Sequence, residues 1–596
     1  MSLVVQKFGG TSVATSEKLL AAARRAIRAE KEGHQVVMVV SAMGKNTDML
    51  VELANEISER PPVREMDMLL STGEQVSVAL MAMAIDSLGH QAVSLTGAQI
   101  GIKTDSSHTK ARIRSISTDR MKKLLDEGNI VIAAGFQGID EDFNITTLGR
   151  GGSDTTAVAL AAVLNADACE IYTDVDGVYT TDPRVVAEAR RVSQISYDEM
   201  LELASLGAGV MHSRSIEFAK KFSVPIHVRS SASDAPGTMI VGQPESAHST
   251  VCGAALTKDE ALVAVTDVPD VPGTSFEIFS RVAQRNITVD MIVQNIGRDG
   301  KANLSFTVPQ AELEVTLEAV GSATKTLGGG TITSHRDVSK VSVVGLGMAR
   351  QAGVADRMFQ SLAGAVINMH MITTSEIKIS ALVDRDSGVA ALRTVHQAFQ
   401  LDQAVDRDDR WSSNMTLVDR PDAVSIVDHL RVMDMEELFV DGIDLDTTQS
   451  LVTLAGIPDT PGVAAGVFDD VARAGVFVDM IVQSYGHDGL ANLSFTVPRQ
   501  SLDKTMDIAN EIDGRLNCQS AINVPKIAKL SVSGIGLRSH TSVAIRMFRA
   551  LADAVINVNM INTSEVRVNV VVDDEHGAKA LASLKEAFAD VLEAGA

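Results

Sequence analysis

The segment ANLSFTVP, Ala302–Pro309, returns letter for letter at Ala491–Pro498. Apolar and β-favouring residues ahead of a proline read as a short core strand. Working outward from both copies, Val263–Pro309 aligns without a gap to Val452–Pro498 at an offset of 189 residues, and more than half of the aligned positions are identical. VSVVGLG at Val341 and LSVSGIG at Leu530 keep that offset, as do AVINMHMITTSEIKI at Ala365 and AVINVNMINTSEVRV at Ala554. The chain therefore carries a duplicated block, from about Val251 to Leu401 and again from Val440 to the end.

Within each block the pattern runs strand, helix, strand, strand, helix. VAVTDV is a β-branched run, PDVPG breaks it, a helix is expected over Ser275–Arg285, and VDMIVQN and ANLSFTV are strands joined across the turn signal GRDG. The order recurs after VSVVGLG. Each block thus predicts two ferredoxin-like βαββαβ modules, four in tandem, over 251–337, 338–401, 440–526 and 527–596. The polar stretch 402–439, with DRDDRW, reads as a linker with a short helix.

Residues 1–245 follow another rule. Short buried strands (LVVQKF, QVVMVV, NIVIAA, CEIYT, PIHVR) alternate with helical stretches at Glu17–Lys31, Gln75–Leu88, Thr155–Leu164 and Ile216–Phe222. That alternation predicts a three-layer α/β domain with a mostly parallel sheet, whose ligands sit beyond the carboxyl ends of the strands.

At 596 residues and 45% hydrophobic, the chain is long enough for several such cores. A net charge of −23 makes nucleic acid or an anionic membrane a poor partner, so phosphate chemistry must rest on a few local cations and a metal. The three cysteines, Cys169, Cys252 and Cys518, form no metal or disulfide pattern and read as reduced thiols. The N-terminus lacks a signal-peptide pattern and no apolar stretch reaches the roughly 18 residues of a membrane span, so a soluble, cytoplasmic protein is expected.

Five loops carry candidate chemistry. KFGGTSV, Lys7–Val13, ends a strand with paired glycines that let backbone N–H groups approach a phosphate beside the Lys7 charge; it is not a Walker loop. SAMGKNTD, Ser41–Asp48, offers hydroxyls. STGE, Ser71–Glu74, places an acid where a ligand ammonium would dock or where a helix begins. GFQG (Gly135–Gly138) leads to LGRGGSDTTA (Leu148–Ala157), in which Arg150 among glycines is free to fork a carboxylate and Asp154 stands at a helix start. YTDVDGVYTTDPR, Tyr172–Arg184, mixes aromatics, acids and an arginine as a nucleotide site would. Together these loops describe phosphoryl transfer.

In this order the motifs resemble those of the aspartokinases in the amino acid kinase family, which also carry C-terminal ACT modules. The resemblance implies ATP-dependent phosphorylation of the L-aspartate side-chain carboxylate, with Mg²⁺ carried by the nucleotide, at the head of lysine, threonine and methionine biosynthesis. Residue by residue, it implies Lys7, Arg150 and Asp154 as catalytic groups. Ser41, Thr47, Glu74, Arg150, Gly152 and Ser153 would hold aspartate. Lys7, Gly9, Gly10, Thr173, Asp174, Tyr179 and Arg184 would hold ATP. The ACT modules would bind lysine and threonine and join a homodimer. Asp270, Gly273 and Gln294 would face an effector, with Asp459, Gly462 and Gln483 in the second copy. The segments Thr374–Ser375–Glu376 and Thr563–Ser564–Glu565 would contribute from the partner module. Where some family members have a lysine this chain has Gly209, leaving Arg214 as its candidate replacement. Another carboxylate kinase of the family, or a sensor without catalysis, are the competing readings. GLGMAR at Gly345 and GIGLRS at Gly534 begin like dinucleotide-binding loops, but Arg350 and Ser539 occupy the third glycine position.

Overall fold

The computed structural model describes residues 2–207, 210–245, 250–296, 300–351, 353–404, 435–436, 438–485, 489–537 and 542–592, without the side chains of 296, 349, 350 and 542. Gly209, most of the GRDG turn, the DRDDRW linker, the Arg350 side chain and Ser539 therefore lie outside the described residues.

The five strands read from residues 1–245 fall in one sheet. Its order is Gln194–Ser196, Thr238–Val241, Ile226–Ser230, Ala168–Thr173, Leu3–Phe8, Gln35–Val40, Ile130–Ala134, Ala92–Leu95. Every pairing is parallel except that between Ile226–Ser230 and Thr238–Val241. The central strand LVVQKF is buried throughout. Alternate side chains explain why: Val36, Met38 and Val40 pack with the helices Ser16–Lys31 and Val63–Ser87, while Val37 and Val39 pack with the helix Gly152–Leu164 on the other face. A four-stranded sheet, Ile113–Ile116, Ile102–Thr104, Gln137–Ile139 and Ile145–Thr147, flanks the first.

Two expectations change here. STGE does not open a helix; it lies inside Val63–Ser87, which starts just after Pro61 and Pro62. By length and composition that helix is also apolar enough to cross a membrane, unlike what was expected of any stretch. One face of it is buried in the fold, carrying Asp67 and Glu74, while Met68, Val76, Leu80 and Met83 on the other are exposed.

The C-terminal half forms one 14-stranded sheet among the described residues. Its modules are interleaved rather than tandem. The long strand Gly253–Pro269 pairs through Gly253–Thr257 with Lys340–Val344, and through Glu260–Pro269 with Lys301–Pro309. The register breaks between Thr257 and Glu260, where Lys258 and Asp259 turn to solvent. The first module is thus inserted into the second. Likewise Phe439–Asp446 pairs with Ile527–Ile535, enclosing the third module within the fourth, so bounds at 337/338 and 526/527 do not separate them.

Edge strands then join modules pairwise. Gln294 pairs with Ile561, linking first to fourth, and Ile372 and Thr373 pair with Gln483 and Val482, linking second to third. The modules meet within one chain, where a homodimer was expected to bring them together. ANLSFTVP supplies Phe306 and Phe495, both buried, set edge-on to Phe279 (5.4 Å) and Phe468 (5.5 Å).

Candidate active site and regulatory interfaces

The first strand delivers Lys7 to the carboxyl edge of the sheet, and the first turn of Gly152–Leu164 delivers Asp154 from the layer above. Their charges meet at 2.6 Å, with both side chains nearly buried. The glycines after Lys7 are shaped by neighbours. A Cβ on Gly10 would stand 2.6 Å from the Ala42 carbonyl, and Gly44 N donates to Gly10 O at 3.0 Å. The KFGG and SAMG loops are therefore in backbone contact, which no side chain at position 10 would permit. Ser41 N donates to Phe8 O at 3.2 Å, and Thr47 sits half-buried in the first turn of Asn46–Ile57.

Glu74 closes this wall from its helix. Its Oε1 accepts from Ala42 N at 3.1 Å, while Oε2 is buried without a hydrogen-bond partner. Burial pushes its carboxyl up to about 7, against the lowering effect of the Ala42 N–H. A buried acid with an open oxygen is a receptor for a cation. Gly73 makes the approach possible, since a Cβ there would come 2.9 Å from the Ala42 Cβ.

Opposite stands the glycine-rich loop. Gly149 and Gly151 take positive φ of 78° and 75°, and Arg150 between them is exposed. Gly152 packs against Phe136, itself at φ 70°, whose N–H is held by Thr156 Oγ1 at 3.1 Å. Ser153 lies against Gly135. Arg150, Gly151, Asp154 and His212 line one cleft with the helix end Ala204–Ser205.

Of the expected nucleotide residues, Thr173 and Asp174 end the strand beside the first, where Gly9 N donates to Tyr172 O at 3.3 Å and Thr173 Oγ1 donates to Asp174 at 3.1 Å. Tyr179 OH donates to Asp176 at 2.8 Å. Arg184 stays at the surface, forked onto Asp182 at 2.8 Å. Arg214 does not replace a phosphate-binding lysine. It is held by Glu436 and by the carbonyls of Leu148 and Ala111.

Sequence reasoning missed three groups. His212 faces Asp154 and Arg150; burial, with help from Arg214, holds its imidazole below the usual range. Its contact leaves no room for a Cβ at Gly151, 2.4 Å away. Asp67, fully buried, accepts from His108 at 2.7 Å, Thr109 N at 3.0 Å and Thr147 Oγ1 at 2.5 Å, tying the Glu74 helix to the strand that leads into the glycine loop. The third is Glu436, on the segment expected to be linker.

At the module interfaces, Asp270 Oδ1 accepts from Asn557 Nδ2 and Asp459 Oδ1 from Asn368 Nδ2, both at 2.8 Å. Gln294 and Gln483 reach across to the carbonyls of Val558 (2.5 Å) and Met369 (2.6 Å). Gly273 and Gly462, at φ 97° and 90°, precede the helices Thr274–Ala283 and Val463–Arg473. The asparagines were legible as repeated residues of AVIN-M and AVIN-V but were passed over. The TSE segments are not brought to these residues. Thr374, Ser375 and Glu376 line a separate cavity with Phe468 and Asp479, and Thr563, Ser564 and Glu565 line its counterpart with Phe279 and Asp290.

Residues 2–230 match the model of the amino acid kinase family, and residues 341–399 and 530–588 match the ACT domain. The aspartokinase of Pseudomonas aeruginosa is 48% identical over 405 residues, 67% of this chain and 98% of the relative. That of Geobacillus stearothermophilus is 50% identical over 402 residues, with 67% and 98% covered. Among solved structures, the aspartate kinase of Synechocystis aligns over 99% of this chain and 98% of its own, at 39% identity and TM-score 0.51. Escherichia coli aspartokinase III with aspartate and ADP covers 67% of this chain and 99% of its own, at 25% identity and TM-score 0.57. The same enzyme with lysine and aspartate gives TM-score 0.54 at 25% identity, with 67% and 99% covered.

Proposed function

The chain belongs to the aspartate kinases of the amino acid kinase family, and from that premise we propose which of its residues carry the reaction and which amino acids regulate it. The single observation that carries the site is the Lys7–Asp154 ion pair at 2.6 Å, set between two glycine loops and the buried Glu74. L-Aspartate's side-chain carboxylate is already ionised at pH 7, so no general base is needed. One carboxylate oxygen attacks the γ-phosphorus of ATP, the bond to the β-phosphate oxygen breaks, and ADP leaves with the electron pair. Positioning and charge neutralisation supply the rate.

In this reading Glu74 receives the aspartate ammonium on its open oxygen, and Arg150 forks a carboxylate beside Gly152 and Ser153. Ser41 and Thr47 complete that wall. Lys7 neutralises the transferring phosphoryl group, Asp154 holds Lys7 in place, and Gly9 and Gly10 offer backbone N–H groups. Thr173, Asp174 and Tyr179 flank the nucleotide; Arg184 would have to leave Asp182 to join them. No group of three His, Cys, Asp or Glu side chains is placed to hold a metal ion among the described residues. The donors present therefore fit a Mg²⁺ held mainly by phosphate oxygens and water, which would supply further neutralisation of the phosphates.

The product is 4-phospho-L-aspartate, placed at the first step towards lysine, threonine and methionine. Lysine and threonine are proposed effectors at the Asp270–Gln294 and Asp459–Gln483 interfaces; the lysine complex of aspartokinase III supports the first of these ligands. Replacement of Lys7 by Ala tests the assignment. Turnover, followed as ATP-dependent aspartyl hydroxamate, should fall by about 10²–10³-fold, the size of one transition-state electrostatic contribution, with effector binding retained. Persistent turnover would remove Lys7 from the mechanism.

A further inference from the structure

The loop Thr173–Arg184 does not stand on the kinase domain alone; the second module holds it from above. Thr180, fully buried, donates its N–H to Arg190 O at 2.8 Å. Its carbonyl accepts from Ala254 N at 2.7 Å, so the start of the strand Gly253–Pro269 lies against it. Its Oγ1 accepts from Arg190 N at 3.1 Å and stands 3.1 Å from His396 Nε2. Just past Arg184, Val185 O accepts from Arg393 Nε at 3.2 Å and Nη2 at 3.1 Å. Val186 is buried in the core of the second and third modules.

Arg393 and His396 lie three residues apart on the helix Gly388–Ala398, so one side of that helix makes both contacts. His396 is buried. Burial holds its imidazole below the usual range, against the opposing pull of Asp402 and Glu188, so it meets Thr180 as a neutral group at pH 7. The duplication separates these contacts from the module's own packing. At the offset of 189, Ala391, Leu392, Ala398 and Phe399 recur as Ala580, Leu581, Ala587 and Phe588. Arg393 and His396 do not recur; Ala582 and Lys585 stand there. The repeated helix keeps its packing residues and changes the two that, in the second module, touch the kinase domain.

On the reading that Thr173–Arg184 flanks the nucleotide, we infer that His396 is a positioning residue for ATP, acting through Thr180, with Arg393 as its second hold. The two fix the loop's path between the strand end that carries Thr173 and Asp174 and the surface turn that carries Arg184. Tyr179 is bonded to Thr180 and donates its hydroxyl to Asp176 at 2.8 Å, so any shift of Thr180 moves Tyr179 with it. With the buried hydrogen bond in place the loop has one path. Without it the loop samples others, and ATP binds only the fraction that fits, which raises KM for ATP in proportion. Ser41, Glu74 and Arg150 belong to other loops and helices, so aspartate affinity should not follow.

Steady-state kinetics of the full chain, with no effector added, test this. His396→Leu should raise KM for ATP about five- to tenfold, the worth of one buried hydrogen bond, with kcat and KM for aspartate within about twofold of wild type. His396→Gln sets an amide near the place of Nε2, able to donate or accept, and should bring KM for ATP back towards wild type. Arg393 is exposed, so Arg393→Met should fold normally and shift KM for ATP in the same direction by less. It decides the matter if His396→Leu does not fold. Asp174→Ala, within the loop, probes the underlying reading and should raise KM for ATP. If it does so while His396→Leu and Arg393→Met leave KM for ATP unchanged, the positioning role is overturned and the nucleotide reading stands. Equal rises in both KM values, or no recovery in His396→Gln, make His396 a packing residue and overturn the role as well. An unchanged KM for ATP in Asp174→Ala removes the loop from the nucleotide site, and the inference with it.

Discussion

Arg214 and Glu436, 222 residues apart, hold each other through two contacts of 2.6 Å, Nε to Oε2 and Nη2 to Oε1, with side chains 15% and 9% exposed. Arg214 also donates to the Leu148 and Ala111 carbonyls, and Glu436 accepts from Ile113 N at 2.8 Å. Met435 beside it is buried in the core of the kinase domain. The end of the segment between the two repeats is thus anchored under the peptide that leads into Gly149 and Arg150.

Glu436→Ala should therefore act on both stability and substrate affinity. It strands a buried guanidinium, which costs about 3–5 kcal/mol, readable as a lowered urea midpoint. With Leu148 less firmly held, KM for aspartate should rise by more than kcat falls. Glu436→Gln keeps the shape and the hydrogen bond accepted from Ile113 N and should recover much of the KM.

Glu74 makes a prediction with a sign. Its carboxyl is raised from 4.5 to about 7 by burial. A raised acid favours folding while protonated, so this contribution is complete below pH 4.5 and is lost as pH rises through 7. The change is at most about 3 kcal/mol. Glu74→Gln should accordingly stabilise the ligand-free protein at pH 8, seen as a higher melting temperature. The same variant should lose aspartate affinity by at least tenfold, because the ammonium no longer meets a carboxylate. In the wild type, KM for aspartate should climb as pH falls below about 7.

Much of this site was legible because its residues lie at strand ends. Lys7, Ser41 and Thr173 follow β-branched runs whose burial the pattern predicts, and a parallel sheet brings such ends together. Glu74 was legible as an acid but not as part of a helix interior, because the start signal, Pro61–Pro62, lies well upstream of STGE. Glu436 and Met435 were not legible at all. Their partners, Arg214 and the Leu148 carbonyl, are remote in sequence, and a single acid in a polar segment carries no periodic signal. The interleaving of modules was hidden for a related reason: of the strand Gly253–Pro269 the sequence marks only VAVTDV, and the pairing alone reveals that the whole strand serves two modules.

Gly151 should tolerate no side chain. Its φ of 75° disfavours any L-residue, and a Cβ would fall 2.4 Å from the His212 Cβ. Gly151→Ala must displace either the helix start that carries Asp154 or the loop that carries His212. We expect kcat/KM to fall at least 100-fold with a loss of about 2 kcal/mol or more in stability. Gly33→Ala, at φ 96° but with open space around it, is the control. It should cost only the backbone strain, about 1 kcal/mol, and leave kinetics unchanged.

Glu202 is where the regulatory half grips the kinase domain. It sits fully buried on the helix Tyr197–Ser205, whose end lines the catalytic cleft. Lys378 of the second module meets its Oε2 at 2.8 Å, and the Glu565 N–H of the fourth module donates to its Oε1 at 3.0 Å. One acid is thus shared by one member of each interface pair. Removing Lys378 leaves a buried carboxylate with a single hydrogen bond, so Lys378→Met should cost about 3–5 kcal/mol. Adding Glu202→Gln should restore most of that loss, since an amide needs no counter-ion. If Glu202 transmits both interfaces, the double variant should be folded and active yet respond at least fivefold less to lysine and threonine in inhibition assays. A stable double variant with wild-type inhibition would place the coupling elsewhere.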